Sequence, residues 1–493
     1  MAFVPSVYQQ AIFDWIENDN GNAFVDAVAG SGKTTTLVQG SRLVNPDDAI
    51  FLAFNKAIVE ELRKRLDPFF TVSTLNALGH NALAKGLNLK RLTLNARKYS
   101  DLLFDAIKDM VPKESVGETL RIAKDLVSFS QSNLGDGSDE SLLEIMDHYA
   151  IELPSKLSEL DTFNLVRSTL NTGEAMAKKG IISFDDQIWL PVKWGFTPPQ
   201  SKFVMVDEAQ DMSKAKCELA LSAVAPGGRI LGVGDPRQSI YGFAGADARA
   251  VPNFIARTNA KILPLSVSYR CPIAIVEHAK KIVPHIEAAP GAIQGEVATI
   301  KEEQLFERVT ANDLVLSRVT ASLISLCIKL IKRRIPATVK GRDIGSQLVS
   351  LAKDVLGNRS FDELHNALDE YMAGQLPVLM KRRNPESIIA ALVDKIDGVK
   401  AVADGFKSKT MFEFSASVEA IFADKSAVVQ LSTIHRAKGL DGVNIYIISP
   451  SKLPLRWKNQ RAWESEQESN LDYVARTRAK NGLYYVQEEP PAA

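Results

Sequence analysis

Short apolar runs alternate along this chain with stretches whose apolar residues recur every third or fourth position, and that alternation predicts parallel α/β sheets. Ser6 reads as the cap of a helix that places Ile12, Phe13 and Ile16 on one face, and "NAFVDAVAG" follows as a short buried strand running into a glycine turn. The order then repeats. "AIFLAF" is strand-like and precedes "NKAIVEELRKRL", whose Ile58, Leu62 and Leu66 form a helical stripe, while "KFVMV" and "RILGV" are further short strands. Residues 91–180 and 344–425 differ: they carry helical spacings such as Leu348, Leu351 and Val355, or Ile389, Leu392 and Ile396 after Asn384-Pro385, without strand signals. Both read as helical insertions, the first broken at "QSNLGDGSDE" and the second opened by a turn at "GRDIGS".

Composition narrows the class. Hydrophobic residues at 45% and charged residues at 24% are near globular averages, and no apolar run approaches the roughly 18 residues needed to cross a bilayer, so no membrane segment is expected. The start, "MAFVPSVYQQ", lacks the basic and then apolar pattern of a signal peptide, and Cys217, Cys271 and Cys327 show no C-x-x-C spacing. A cytoplasmic, reduced and zinc-free protein is the expectation. Lys plus Arg equals Asp plus Glu at 59 each, so any polyanion must be held by local basic surface.

The chemistry is concentrated in two segments. "AVAGSGKTTT" matches the phosphate-binding pattern G-x-x-x-x-G-K-[ST] except that Ala27 stands at its first glycine. In such a turn the backbone of Ala29, Gly30, Ser31, Gly32, Lys33, Thr34 and Thr35 faces the phosphates, Lys33 adds a point charge at the outer ones, and the Thr34 hydroxyl is a ligand for Mg²⁺. "FVMVDEAQD" supplies the partner: an apolar strand ending in Asp207, a second metal ligand, and Glu208, a general base for the attacking water.

With "GVGDPRQSIYGFAGAD", "SVSYR", "LSTIHRAKGLDG" and "EQESNLDYVARTRAK" following in order, the chain resembles the UvrD/Rep (PcrA-like) DNA helicases of superfamily I over almost its whole length. That resemblance implies two RecA-like parallel α/β domains with ATP in the cleft between them, each interrupted by a mainly helical insertion. The first domain is expected at 1–90 and 181–262 around the insertion 91–180. The second is expected at 263–343 and 426–493 around the shorter insertion 344–425. The resemblance also implies that Gln9 reads the adenine and Tyr269 stacks on it, and that Arg270 and Arg478 act on the γ-phosphate. Gln238 would sense that phosphate, and Asp441, where glutamate is usual, would contact the nucleotide. Arg476, beside Arg478, is read as structural.

For single-stranded DNA the family pattern points to Asn55 and Lys56 in "AFNKAI", Thr74 in "VSTLNALGH", and His435 and Lys438 in "TIHRAKG". Asn76 stands where a histidine is usual. Tyr241 and Phe243 are candidate base-stacking aromatics, a contact worth about 1 to 3 kcal/mol per base. The expected protein is an ATP- and Mg²⁺-dependent helicase, a monomer acting on single-stranded DNA and on single-strand/duplex junctions with 3′ to 5′ travel. It would serve replication, repair or recombination and leave room for a loading or replication/repair partner. The alternative is a translocase that strips bound proteins with little unwinding. A small-molecule phosphotransferase leaves "QSIYGFAGAD" and "YVARTRA" without a role.

Overall fold

The computed structural model describes residues 3–149, 151–240, 249–380, 385–423, 428–458 and 460–487. The chain divides into two compact units, Met1–Ser266 and Val267–Ala493. Each is a parallel α/β unit, as the alternating pattern predicts.

The first unit holds β1 (Ala23–Ala27), β2 (Ala49–Ala53), β3 (Thr71–Thr74), β4 (Thr93–Leu94), β5 (Ile181–Ile182), β6 (Ser201–Val206), β7 (Val224–Gly234) and β8 (Lys261–Leu265). Six of these form one parallel sheet in the order β3-β2-β6-β7-β1-β8. Strands covered on both faces need apolar residues throughout, and all five residues of β2 are buried. Alternate residues feed two cores. Val25, Phe51, Met205 and Val233 pack under α1 (Val7–Asn18), α2 (Lys33–Gly40) and α3 (Lys56–Arg63). Phe24, Ile50, Leu52 and Val204 join the opposite core, which runs on into the helices. Those are α4 (Leu75–Gly86), α5 (Lys98–Ile107), α6 (Val116–Asn133), α7 (Asp139–Tyr149), α8 (Glu159–Lys178), α9 (Asp186–Lys193), α10 (Lys214–Ser222) and α11 (Ala250–Thr258). Between β4 and β5 the chain is helical apart from its connections, and these two short strands pair in parallel, Thr93 with Ile181 and Leu94 with Ile182. Ser6 caps α1 as expected, its hydroxyl accepting from the Gln9 N–H at 3.2 Å.

The second unit begins with the short pair β9 (Val267–Ser268) and β10 (Glu287–Ala288). Its six-stranded parallel sheet, ordered β11-β16-β15-β12-β14-β13, uses β11 (Glu296–Ile300), β12 (Leu314–Ser317), β13 (Ala337–Val339), β14 (Val429–Thr433), β15 (Gly442–Ile447) and β16 (Ala479–Val486). Around it lie α12 (Ile273–Ala279), α13 (Glu302–Arg308), α14 (Thr320–Lys332) and α19 (Ala462–Arg476). Between β13 and β14 run α15 (Arg342–Leu356), α16 (Leu364–Leu379), α17 (Pro385–Phe406) and α18 (Met411–Phe422), whose Leu348, Leu368, Val399 and Phe414 extend the core formed by Leu323 and Ile324 of α14.

Three local expectations change. "GRDIGS" is not a turn: only Gly341, at φ +127°, lies outside the helix, and Arg342–Ser346 are the first residues of α15, where Gly345 sits against Val418 and Phe422. The stripe on α3 is carried by Val59 and Leu62, since the helix ends at Arg63 and buried Leu66 lies beyond it. β7 begins at Val224, six residues before its apolar part, because it pairs with β6 through an irregular register near Ser201. Among the described residues no helix is long and apolar enough to cross a membrane.

Candidate functional site

The phosphate loop leaves β1 after Ala27 and enters α2 at Lys33. Gly30 and Gly32 have φ of +73° and +78°, the left-handed region where a Cβ is strained, whereas Ala27 is a buried strand residue outside that region and carries its methyl without penalty. Gly32 is the N-cap of α2 and provides no side-chain cap, so the first-turn N–H groups are left for a ligand. Ser31 Oγ is buried with no hydrogen-bond partner among the described residues. A buried hydroxyl without a partner in a glycine turn fits a loop that closes on phosphate oxygens.

Asp207 follows β6, with its N–H bonded to Leu52 O at 3.1 Å. Glu208 then adopts φ +51°, and this left-handed step, rare outside glycine, turns the chain so that Lys33 Nζ lies 3.3 Å from Glu208 Oε1. The Gln210 side-chain amide donates to Glu208 Oε2, and its own oxygen accepts the Asp235 N–H at 3.1 Å. Asp235 Oδ2 in turn accepts from Gln238 Nε2 at 2.6 Å. A hydrogen-bonded relay therefore runs from Lys33 through Glu208, Gln210 and Asp235 to Gln238. Gly234 is required beside it, because a Cβ there would stand 2.2 Å from Gln210 Oε1.

Charge in this site is unbalanced. Burial, with repulsion from Glu208, pushes Asp207 up to about 7, and burial pushes Asp235 up to about 6 against the pull of Lys33. Burial disfavours the Lys33 ammonium, but Glu208, Asp235 and Asp207 together hold its pKa above the usual lysine range. Among the described residues no group of three or more His, Cys, Asp or Glu side chains is placed to hold a metal ion by itself; Thr34 and Asp207 could hold a Mg²⁺ only as an ion that takes waters and substrate oxygens as its other ligands. Gln9 is hydrogen-bonded to the same helix, Nε2 donating to Thr36 Oγ1 at 3.0 Å, while its Oε1 accepts the Ser6 N–H at 3.0 Å.

In the second unit Tyr269 follows β9 and is half exposed. Arg270 lies 3.6 Å from Asp441 and donates to Thr477 O at 3.4 Å. Arg478 donates to Val474 O at 3.1 Å and Leu440 O at 3.3 Å. The unit thus gathers Arg270, Asp441 and Arg478 into one cluster, with the Asp441 carboxylate also held by Lys480 at 2.8 Å. Arg476 pairs with Asp472 and donates to His278 O at 3.2 Å, a packing role.

Residues 9–259 match the UvrD/REP helicase N-terminal domain, and residues 345–489 match the UvrD-like helicase C-terminal domain. The chain belongs to the UvrD/REP helicase family. It is 28% identical over 236 residues to F-box DNA helicase 1 of Gallus gallus, covering 45% of this chain and 22% of that protein. To the ATP-dependent DNA helicase Rep of Buchnera aphidicola it is 22% identical over 299 residues, 54% of this chain and 44% of that one. F-box DNA helicase protein 1 of Schizosaccharomyces pombe matches at 22% over 516 positions, 93% of this chain and 55% of the relative. The chain therefore spans between about a fifth and just over half of these relatives' lengths.

The residues expected to meet single-stranded DNA fall at strand ends. Asn55 caps α3 by accepting the Ile58 N–H at 2.9 Å, Lys56 is exposed beside it, and Thr74 caps α4 by accepting the Ala77 N–H at 3.1 Å. Asn76 instead ties α4 to Phe184 O and Gln187 Oε1, both at 3.0 Å. His435 and Lys438 follow β14; burial and the Arg318 charge press the His435 imidazole down to about 3, so it is neutral at physiological pH. Tyr241 and Phe243 lie outside the described residues.

Sequence reading overlooked four features. Phe54 and Phe184 are exposed aromatics at the ends of β2 and β5, and exposure of a large apolar ring in a loop is not visible in a pattern of apolar positions. Gln210 and Asp235 lie inside the quoted motifs, but their joining role depends on the left-handed turn at Glu208.

Proposed function

We propose that this chain is an ATP-dependent DNA helicase that moves 3′ to 5′ along single-stranded DNA and opens the duplex at single-strand/duplex junctions, with the helical stretches 91–180 and 344–425 as insertions in two motor domains. The observation that carries the reading is the relay from Lys33 to Gln238, which joins a phosphate loop to the segment leading into Tyr241 and Phe243. The three relatives described above are named as DNA helicases, which supports the same substrates.

Lys33 is paired with Glu208 at 3.3 Å. Triphosphate oxygens take over the lysine, and Glu208 is released to orient and deprotonate the attacking water, while Gln210 keeps its carboxylate aimed. Thr34 and Asp207 would hold Mg²⁺, which when bound would supply neutralisation of phosphate charge. Arg270 and Arg478 are the cations assigned to the γ-phosphate, and Tyr269 and Gln9 to the base. Changes at Glu208 reach Gln238 through Gln210 and Asp235, so strand binding and hydrolysis are coupled by hydrogen bonds.

The test is ATP hydrolysis with and without a single-stranded oligonucleotide, with Lys33→Ala as the blank. Strong stimulation is expected, followed by unwinding of 3′-tailed but not 5′-tailed duplex. Hydrolysis indifferent to the oligonucleotide would remove the motor reading, and stimulation without unwinding would make the chain a protein-stripping translocase.

A further inference from the structure

The loop that begins α2 meets a second cation, one that no motif in the sequence contains. Arg65 lies two residues beyond α3, and its Nη2 donates to Thr35 Oγ1 at 3.2 Å while its Nη1 pairs with Glu61 Oε1 at 2.9 Å. Thr35 is the third residue of α2, in the turn whose N–H groups face bound phosphates. Lys33 and Thr34 take the outer phosphates and the metal, so the next residue along the helix marks the nucleoside side of the triphosphate.

A guanidinium has five N–H donors. Two are engaged here, and the remaining three have no partner among the described residues, on a side chain that is 34% exposed. The Glu61 pair is a solvated i,i+4 contact, with Glu61 60% exposed, and such pairs are weak enough to be exchanged for a better acceptor. Charge gives the reason to exchange it. Lys33 is itself paired with Glu208 at 3.3 Å, so the loop's own lysine is shared with a carboxylate, and Arg65 is the next cation along this side of α2. In the reading above Lys33, Arg270 and Arg478 all serve the outer phosphates, which leaves the inner ones to a donor on the Thr35 side of α2.

We propose that Arg65 is a nucleotide-contacting residue, anchored by Thr35 on α2 and donating to the inner phosphates of the bound nucleotide in place of Glu61. The proposal rests on the nucleotide reading of the phosphate loop. It adds a residue outside the motifs, and it makes Glu61 a competitor of the nucleotide rather than a partner.

The experiment is calorimetric binding of ATP and ADP to the full chain, with steady-state hydrolysis at saturating oligonucleotide, for wild type, Arg65→Ala, Arg65→Lys and Glu61→Gln. Arg65→Ala is expected to weaken ATP and ADP about tenfold, the scale of a lost charge-assisted hydrogen bond, to raise KM in parallel, and to leave kcat within about twofold. Arg65→Lys recovers part of the loss, and Glu61→Gln binds at least as tightly as wild type. Unchanged affinity in Arg65→Ala would overturn the proposal, and so would an equal loss in Glu61→Gln, which would make the ion pair a brace for α3. Thermal melts of all four proteins report folding. Failure of wild type itself to bind ATP would instead sink the nucleotide reading.

Discussion

Two lysine–carboxylate pairs in the first unit make opposite use of the same chemistry. Lys98 and Asp186 meet at 2.6 Å with both side chains fully buried, and the aspartate also accepts from Tyr99 Oη at 2.6 Å, Trp189 Nε1 at 3.0 Å and the Ser183 N–H at 2.7 Å. Every acceptor is used and the charges cancel, so the group is finished. Lys33 and Glu208 stand 3.3 Å apart, partly exposed, with surplus carboxylates around them and a Ser31 hydroxyl that has no partner among the described residues. That second arrangement has charge and hydrogen-bonding capacity left over, as the proposed binding of a triphosphate requires. Buried ion pairs are weak evidence for stability in general; here the balance of charge and hydrogen bonds separates a brace from a receptor.

The comparison breaks most readily at the brace. Lys98→Met leaves Asp186 buried without a counter-charge and is expected to lower unfolding free energy by about 3 to 5 kcal/mol in urea denaturation, much of it recovered when Asp186→Asn is added. Lys33→Ala should barely move the same curve yet remove hydrolysis, and Glu208→Gln should slow it by about 10² to 10⁴-fold, the range for a lost general base. A large stability loss in Lys33→Ala would erase the distinction.

A subtler consequence concerns pH. Asp207 and Asp235 hold protons in the folded state up to about 7 and about 6, against 3.8 for the free side chain. The folded protein binds more protons than the unfolded chain through that interval, so these groups favour folding most at low pH, and their contribution is lost as pH rises from about 4 to about 7. Urea curves of the nucleotide-free protein at pH 5, 6, 7 and 8 should show that slope flattened in Asp207→Asn. By the same logic Asp207→Asn raises stability at pH 8 by about 1 kcal/mol while abolishing turnover, the exchange common at functional sites. The brace is also sensitive at Gly173, where a Cβ would lie 2.4 Å from the Tyr99 ring: Gly173→Ala overpacks it by about 1 to 3 kcal/mol with hydrolysis per folded molecule unchanged.

How much was legible follows from range. The phosphate loop, the strand into Asp207 and the helical stretches were readable because each is a local pattern, a glycine turn after an apolar run or a three-to-four residue spacing. Lys98 and Asp186 carry no such mark: they are 88 positions apart, and nothing local says that they touch. The joining role of Gln210 was hidden for a different reason, since it needs Glu208 in a left-handed conformation that its residue type disfavours. "GRDIGS" misled because two glycines imitate a turn, whereas the packing of Gly345 on α18 favours a helix. Arg65 sits in a run of surface charges where one position looks like the next.

The two-residue ladder of β4 and β5 has a meaning for how this unit can vary. Because Thr93 pairs with Ile181 and Leu94 with Ile182, the chain departs and returns about one strand spacing apart, about 4.8 Å. A segment whose ends meet is a cassette: it can be lengthened, shortened or replaced without re-threading its host. Two conditions travel with any replacement. It must cover α9 and α10, on which α6 packs, and it must bring a cation and a hydroxyl back to Asp186 or be accompanied by a change there.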